Sequence, residues 1–133
     1  MSVRISIDIL GEKKLLNLLA TGGPAAAQAT GRAIYEEAQI IFAESQRLVP
    51  VRTGALRASG QVFPPKVSGN DIEVEMGYGG AAAPYAIYVH ERLDLSHDAP
   101  TSAKYLETPV LQAADKIASR IADRVDATLK GIS

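Results

Sequence analysis

Residues 24–48 read PAAAQATGRAIYEEAQIIFAESQRL, and this stretch decides the fold. Small and apolar side chains recur in it at spacings of four and three residues, the pattern of one buried stripe along an α-helix: Ile34, Ala38, Ile41, Ser45 and Leu48. Four charged residues mostly lie away from that stripe: Glu36, Glu37, Glu44 and Arg47. At about 1.5 Å per residue the helix spans roughly 35 Å, the length of a small domain, so we predict that it is the spine of the fold.

Both ends of this helix are marked in the sequence. Residues 21–24 (Thr-Gly-Gly-Pro) separate it from a shorter helix predicted over residues 12–20, and a proline suits the first turn of a helix. At the other end Val49-Pro50 stops the helix, because the residue before a proline disfavours the helical conformation. Gly31, inside the helix, is unfavourable by on the order of 1 kcal/mol relative to alanine, so we expect either a close contact with another element or a kink there.

Two regions alternate apolar and polar residues, which predicts β-strands with one buried face. The first is a strand over residues 2–9. The second is a hairpin predicted over residues 56–78, with a turn at residues 68–71 and apolar positions on its return strand at Ile72, Val74, Met76 and Tyr78. Proline cannot donate to a ladder of hydrogen bonds, so Pro64-Pro65 requires an edge position or a bulge.

The C-terminal part of the chain predicts a second long helix, over residues 108–130. Thr108 is its expected N-cap, Pro109 its first helical residue and Gly131 its closing residue. Its apolar stripe is Val110, Ala114, Ile117, Ile121 and Val125, which Leu111, Ala118, Ala122 and Leu129 broaden. Before this helix, residues 85–91 fit a helix or a strand, and residues 92–103 are predicted to be a long exposed loop.

The order of these elements predicts an α+β fold in a single domain spanning residues 1–133. It consists of a small antiparallel sheet, made of the N-terminal strand plus the hairpin, packed against two long helices. The 133 residues suit one core, and 47% hydrophobic and 22% charged residues are typical of a globular domain. Aromatic residues are few and alanine is abundant, so we expect a thin core and closely approaching helices.

Composition also argues against several classes of function. A formal net charge of −1 disfavours a dedicated nucleic-acid binder, which usually carries a basic excess. The chain has no cysteine, so disulfides and thiolate metal sites are excluded. It has no run of the roughly 18 to 20 apolar residues that cross a membrane. Its first eight residues lack the pattern of a secretory signal.

One cluster has side chains suited to a metal or to acid–base catalysis: His90, Glu91 and His97. Adjacent residues diverge on a strand or a helix, however, and no further ligand is spaced to complete a site. A small metal-dependent hydrolase using these three residues is therefore the weaker alternative. We predict no catalytic residue, no cofactor and no enzyme activity.

Residues 49–57 (Val-Pro-Val-Arg-Thr-Gly-Ala-Leu-Arg) have the chemistry of a sharp turn. Gly54 can adopt a positive φ, and the Thr53 hydroxyl can hydrogen-bond the local backbone. Arg52 and Arg57 flank the turn and are expected to point outward.

The two arginines of this turn have several candidate partners. Alone they do not support tight binding to nucleic acid, because affinity scales with the number of phosphates neutralised, so a nucleic-acid-binding module is a further, weaker alternative. We expect them to contact a protein partner, or else Glu107 or the hairpin glutamates of the same chain.

Three segments, in this order and spacing, resemble one family: the small tail-component, or neck, proteins of tailed bacteriophages. The first is VPVRTGALRAS, residues 49–59, which is similar to that family's signature of a proline followed by R/D-T-G-x-L-R-x-S. The second is YAIYVHE, residues 85–91, similar to Y-A-x-Y-V-x-E, and the third is KYLETP, residues 104–109, similar to the entry to the family's last helix. Many relatives have Glu-Phe-Gly-Thr after the Tyr-Val pair, whereas this chain has His90-Glu91-Arg92-Leu93.

The resemblance implies structural work without an activity or a cofactor. The implied role is a neck or tail-completion ring subunit at the head–tail junction, which helps join the capsid connector to the tail. A minor capsid protein and a tail terminator are alternatives within the same class. The implied partners are copies of the chain in a ring and neighbouring connector and tail proteins, with DNA passing nearby without specific binding and no membrane. The implied location is the virion, and the host cytoplasm during assembly.

We assign contacts with other subunits and partners to polar and turn residues of the three segments and the loop: Arg52, Thr53, Gly54, Arg57, His90, Glu91, Arg92, His97 and Lys104. Three further residues are expected to pack the loop region onto the helices: Tyr85, Tyr88 and Leu106.

Overall fold

Strands and helices alternate unevenly along the chain, and in sequence most of the sheet lies between the two long helices. The computed structural model describes residues 3–8, 13–50, 54–69, 71–79, 86–91 and 104–131. Within these ranges the elements are β1 (Val3–Asp8), α1 (Lys13–Leu48), α2 (Ala55–Ala58), β2 (Gln61–Val62), β3 (Lys66–Ser68), β4 (Asp71–Tyr78), α3 (Ala86–Glu91) and α4 (Glu107–Leu129). None of these helices is long and apolar enough to cross a membrane.

The sheet is built around β4, which pairs antiparallel with β1 on one side and with β2 and β3 on the other. The strands β2 and β3 form one edge that is interrupted by Pro64-Pro65, as the sequence predicts. Beside the interruption, the Phe63 N–H donates to the Glu75 carbonyl at 2.8 Å and keeps the edge aligned with β4. The α+β fold, with an antiparallel sheet of N-terminal strand plus hairpin, is confirmed. Of the two long helices predicted to pack against the sheet, α1 does so, whereas α4 packs mainly on α1.

The apolar face of β4 packs against α1, and this contact forms the core of the molecule. Its alternate residues are almost fully buried: Ile72, Val74, Met76 and Tyr78. On α1, Gly31 lies against the edge of the sheet, where an added Cβ would be 3.0 Å from Val67 Cγ2 and 3.3 Å from Pro65 Cβ. A close contact with the sheet is thus the reason for this mid-helix glycine, and the helix does not kink at Gly31.

The kink in α1 is at Gly23 (φ 59°, ψ −143°), just before Pro24. The two helices predicted over residues 12–20 and 24–48 are therefore two segments of α1, and the first segment continues to Gly22 because only the positive φ of Gly23 breaks it. Gly22 packs so closely on the next turn that an added Cβ would be 2.7 Å from Ala26 Cβ.

Helix α4 is most completely buried along its C-terminal half. Both segments of α1 reach that half: Lys14 Nζ lies 3.0 Å from Asp123 Oδ1, and Glu37 contacts Arg120. Ile121, Ala122 and Val125 are buried there, whereas Ala114 and Leu111 are exposed, Leu111 to 64%. The predicted stripe is therefore correct at Ile121, Ala122 and Val125, half-buried at Val110 and Ile117, and wrong at Ala114, Leu111 and Leu129, which are exposed.

The hairpin begins later than the sequence predicts, because a short helix precedes it. Residues 55–58 form the single helical turn α2, and the strand begins only at Gln61. Two interactions stabilise this turn: Leu56 is buried, and the Ser59 hydroxyl donates to the Leu56 carbonyl at 2.6 Å.

Helix α4 begins at Glu107 with Leu106 as its N-cap, so the predicted N-cap Thr108 is wrong. The reason is a turn over residues 104–106, from which the Lys104 carbonyl already accepts the N–H of Thr108 at 2.9 Å. Burial of Tyr105 and Leu106 anchors this turn. The helix ends at Leu129, and Gly131 adopts a positive φ of 78° as its closing residue.

Two apolar residues of α4 differ strongly in burial, which makes a matched pair of substitutions informative. We expect Ile121→Ala to lower the free energy of unfolding by about 2–5 kcal/mol, because Ile121 is 3% exposed and its removal leaves a cavity. Leu111→Ala, at an exposed position of the same helix, should change it by less than about 0.5 kcal/mol. Urea unfolding followed by circular dichroism measures both, and equal losses would contradict the described packing.

Candidate interaction site

Four aromatic rings form a column that connects four elements. Tyr78, at the end of β4, stacks on Phe42 of α1 with ring centroids 5.1 Å apart and an interplanar angle of 24°. Tyr105 meets the Tyr78 ring edge-on at 5.0 Å, and His90 meets Tyr105 edge-on at 4.9 Å. Aromatic pairs in these geometries stabilise a core beyond the area that they bury. We call the rings of Phe42, Tyr78, Tyr105 and His90 the aromatic column.

The hydroxyl of Tyr78 is satisfied inside the protein. Its oxygen lies 2.8 Å from Ser45 Oγ, and Gln46 Nε2 donates to it at 3.3 Å. Burial raises the pKa of Tyr78 to about 12, against the opposing effects of these hydrogen bonds and of the Arg57 charge. The phenol therefore stays neutral at physiological pH, and its role is to fix the ring rather than to transfer a proton.

The segment of residues 54–59 is attached to this end of the column. Gln46 Nε2 donates to the Arg57 carbonyl at 3.2 Å, and the Gly79 N–H donates to Ser59 Oγ at 3.0 Å. Gly54 has a φ of 81°, the positive value that the sequence predicts for this turn.

The Arg57 side chain does not simply point outward from the turn. It is half-buried, and its Nε is enclosed without a hydrogen-bond partner. Among the residues that the structure describes, Arg57 makes no ion pair with Glu107 or with the hairpin glutamates, so that expected intramolecular pair is not found there. The other two residues predicted in this turn, Arg52 and Thr53, lie outside the described residues.

Residues 86–91 form the short helix α3, which resolves the choice between helix and strand for this segment. The Tyr105 hydroxyl donates to the Ala86 carbonyl at 2.8 Å. At the other end of α3 the Lys104 N–H donates to the His90 carbonyl at 2.8 Å, and Lys104 itself has a positive φ of 55°, which is uncommon for a residue with a side chain. The turn before α4 is thus fixed to both ends of α3.

His90 is 3% exposed, and both of its ring nitrogens face protein groups. The backbone N–H of Glu107 donates to Nε2 at 3.3 Å, so the proton of the neutral ring is on Nδ1, which donates to Glu91 Oε1 at 3.1 Å. Burial lowers the pKa of His90, and the nearby Lys104 adds to this, while Glu91 and Glu107 oppose it. The ring is therefore held neutral as part of the core rather than presented to a partner.

Three charged side chains lie close to this histidine. Lys104 Nζ pairs with Glu91 Oε2 and lies 3.3 Å from Glu107 Oε2. The hydrogen bond with Glu91 raises the pKa of Lys104, and the same bond lowers the pKa of Glu91. We call His90, Glu91, Lys104 and Glu107 the polar junction, since it joins α3, the turn and the start of α4.

The polar junction is poorly suited to the metal-dependent chemistry considered for His90, Glu91 and His97. The lone pair on Nε2 of His90 accepts a backbone N–H, and Nδ1 carries a proton toward Glu91, so coordination of a metal would break one of these bonds. The described part of the chain contains no group of three His, Cys, Asp or Glu residues that could hold a metal ion. His97 lies outside that part, as does Arg92.

The predicted contact residues that are described fall at the two ends of the aromatic column. Arg57 lies near Tyr78 and Gly54 begins the same turn, whereas His90, Glu91 and Lys104 lie beyond Tyr105. Of the predicted packing residues, Leu106 is fully buried as expected, while Tyr85 and the side chain of Tyr88 lie outside the described residues.

A buried carboxylate was missed by the sequence pattern. Glu37, expected to lie mostly away from the core, is 1% exposed and sits between α1 and α4. Arg120 Nε donates to Oε1 of Glu37 at 2.7 Å, and Arg124 Nε donates to Oε2 at 3.0 Å. The sequence feature that could have indicated this burial is the spacing of Arg120 and Arg124. Residues four apart on a helix share a face, so both arginines can bind one carboxylate.

No protein-family model, curated protein or solved structure matches this chain.

The close packing around the aromatic column gives one prediction. A Cβ at Gly60 would overlap the side chains of Gln46, Phe42 and Tyr78. We expect Gly60→Ala to lower the free energy of unfolding by about 1–3 kcal/mol through overpacking. Ala58→Ser, at an exposed position two residues earlier, is the control and should change it by less than about 0.5 kcal/mol. A fully stable Gly60→Ala protein by thermal unfolding would contradict the column geometry.

The buried neutral His90 gives a pH dependence with a defined sign. Its pKa is lower in the folded protein than its ordinary 6.5, so the unfolded chain binds more protons and stability falls as the pH falls through that value. We expect the free energy of unfolding to decrease between about pH 7.5 and pH 5, above the range in which carboxylates protonate.

His90→Gln should flatten that decrease, and His97→Gln is the matched control that should keep it. Urea titrations at several pH values measure the effect. An unchanged slope in His90→Gln, or the loss of the slope in His97→Gln, would show that His90 is not the responsible group.

Proposed function

We propose that this chain is a non-enzymatic structural subunit of the head–tail junction of a tailed bacteriophage, acting as a neck or tail-completion ring subunit that joins the capsid connector to the tail. One observation carries the proposal. The described parts of the three segments that resemble this family meet around one aromatic column. The motif residues that are described serve to fix one surface of the subunit.

The chemistry of the column favours a structural role over a catalytic one. Tyr78 has a raised pKa and His90 a lowered one, so both stay neutral, and the polar atoms of both rings already have protein partners. A catalytic centre instead needs a group that can reach a substrate and change its protonation near the operating pH. The ionisable groups here hold elements together, as an assembly subunit requires.

The charges of the described surface suit contacts with other proteins. Glu91, Lys104 and Glu107 form a mixed cluster with both signs exposed, and the chain as a whole carries a net charge of −1. Mixed charges of this kind give specificity to protein contacts, whereas a weakly acidic surface lets DNA pass without tight binding. The proposed location is the virion, after assembly in the host cytoplasm.

The role is tested in the phage that encodes the chain. Without the gene, we expect DNA-filled heads and finished tails to accumulate unjoined in lysates, and the wild-type gene supplied in trans should restore joined particles. Gold-labelled antibody should mark the head–tail junction in electron micrographs. Joined, infectious particles in the absence of the gene would refute the proposal, and label at the capsid vertices or along the tail would favour another structural role.

Substitutions in residues 49–59 test whether this segment contacts other subunits or partner proteins. Arg52→Glu should leave the circular dichroism spectrum unchanged and reduce particle joining in the same complementation assay. Arg57 is the poorer choice, because its enclosed Nε makes a charge reversal a folding change. Lys130→Glu, exposed at the far end of α4, is the matched control and should complement fully. Full complementation by Arg52→Glu would leave this turn without a role in assembly.

A further inference from the structure

The two edges of the sheet differ in their capacity to accept another strand. The β2–β3 edge is interrupted by Pro64-Pro65, which is how natural sheets commonly block pairing at an edge. The opposite edge is β1, six residues that contain no proline. Among the described residues, no backbone hydrogen bond reaches its outer side.

The register of the sheet shows which backbone groups of β1 point outward. Each residue of an antiparallel strand directs its N–H and C=O to the same side, and successive residues alternate. The Glu75 carbonyl accepts the N–H of Phe63, so Glu75 faces the β2–β3 edge, and its partner across the sheet, Ser6, does not bond to β4. By alternation Arg4, Ser6 and Asp8 direct their backbone groups away from the sheet.

We propose that β1 pairs antiparallel with β1 of a second copy of this chain, about a two-fold axis at Ser6. In this register Arg4 is opposite Asp8 of the second copy, Asp8 is opposite its Arg4, and the two Ser6 residues are opposite each other. Every outward N–H and C=O of the three residues then has a partner. The contact is isologous, the commonest form of contact in homodimers.

The charges of β1 favour this occupant and this register. Opposite charges directly across an antiparallel pair stabilise it, and like charges destabilise it. A two-fold axis at Arg4 or at Asp8 would place identical charges opposite each other, whereas the axis at Ser6 pairs both charges of each copy with their opposites. The charges of β1 are thus complementary to themselves about Ser6.

Among the described residues, no backbone hydrogen bond joins β1 to helix α3. Helix α3 contacts β1, and its Ala86 carbonyl is taken by the Tyr105 hydroxyl, whose ring packs on Tyr78. Because Tyr78 belongs to the face of the sheet against α1, this attachment draws α3 toward that face. Pairing through β1 is a property of the purified chain and does not require the proposed phage role.

The test is the mass of the purified chain in solution, measured by sedimentation velocity from low micromolar concentration to about 1 mM. We expect a monomer–dimer equilibrium for the wild-type chain. Ser6→Pro should be monomeric, because it removes an outward N–H and spares the bonds between β1 and β4. Ser6→Ala, which keeps that N–H, is the control and should dimerise like the wild type.

Charge exchange provides a second, independent measurement if Ser6→Pro fails to fold. Arg4→Asp should weaken dimerisation by about tenfold or more, since each of two symmetric pairs becomes repulsive. Combining it with Asp8→Arg should restore the wild-type affinity. A monomeric wild-type chain, an assembly that Ser6→Pro leaves intact in its folded form, or a double exchange that does not restore affinity would each overturn the proposal.

Discussion

The burial of one tyrosine with its hydroxyl satisfied is the interaction on which most of this structure depends. Tyr78 ends the central strand, and its ring reaches α1 through Phe42 and the turn before α4 through Tyr105. A buried phenol without a partner would be unfavourable by roughly 1–3 kcal/mol, so Ser45 and Gln46 are as necessary as the ring contacts. In a chain with five tyrosines, two phenylalanines and no tryptophan, this column is the main aromatic anchor of a core built largely from small side chains.

The sequence predicts the elements that depend on local pattern. Alternation identifies β4, and the paired prolines identify the interrupted edge, because each follows from backbone chemistry within a few residues. At the mid-helix Gly31 the sequence leaves a close contact or a kink open, and the structure shows the contact. The parts that it predicts wrongly depend on distant neighbours. Leu111 fits the periodicity of a buried stripe, yet it is 64% exposed, because its burial depends on which distant residues pack around α4.

The candidate site shows the same division between local and long-range information. The positive φ of Gly54 and the helix near residues 104–109 are local properties, whereas the burial of His90 depends on Tyr105 and on the start of α4 packing around it. Glu37 was misplaced because charge normally indicates solvent, and only the paired arginines on α4 make its burial acceptable. Its two carboxylate oxygens, held by arginines one helical turn apart, fix the axial position of α1 relative to α4.

The paired prolines on the β2–β3 edge have a consequence for how far the sheet can grow. A sheet that accepts strands at both edges can add copies without end and become a fibre. Here Pro64-Pro65 interrupts one edge in every copy, so two chains joined through β1 present only interrupted edges to the outside. The prolines therefore limit growth by strand addition to two copies.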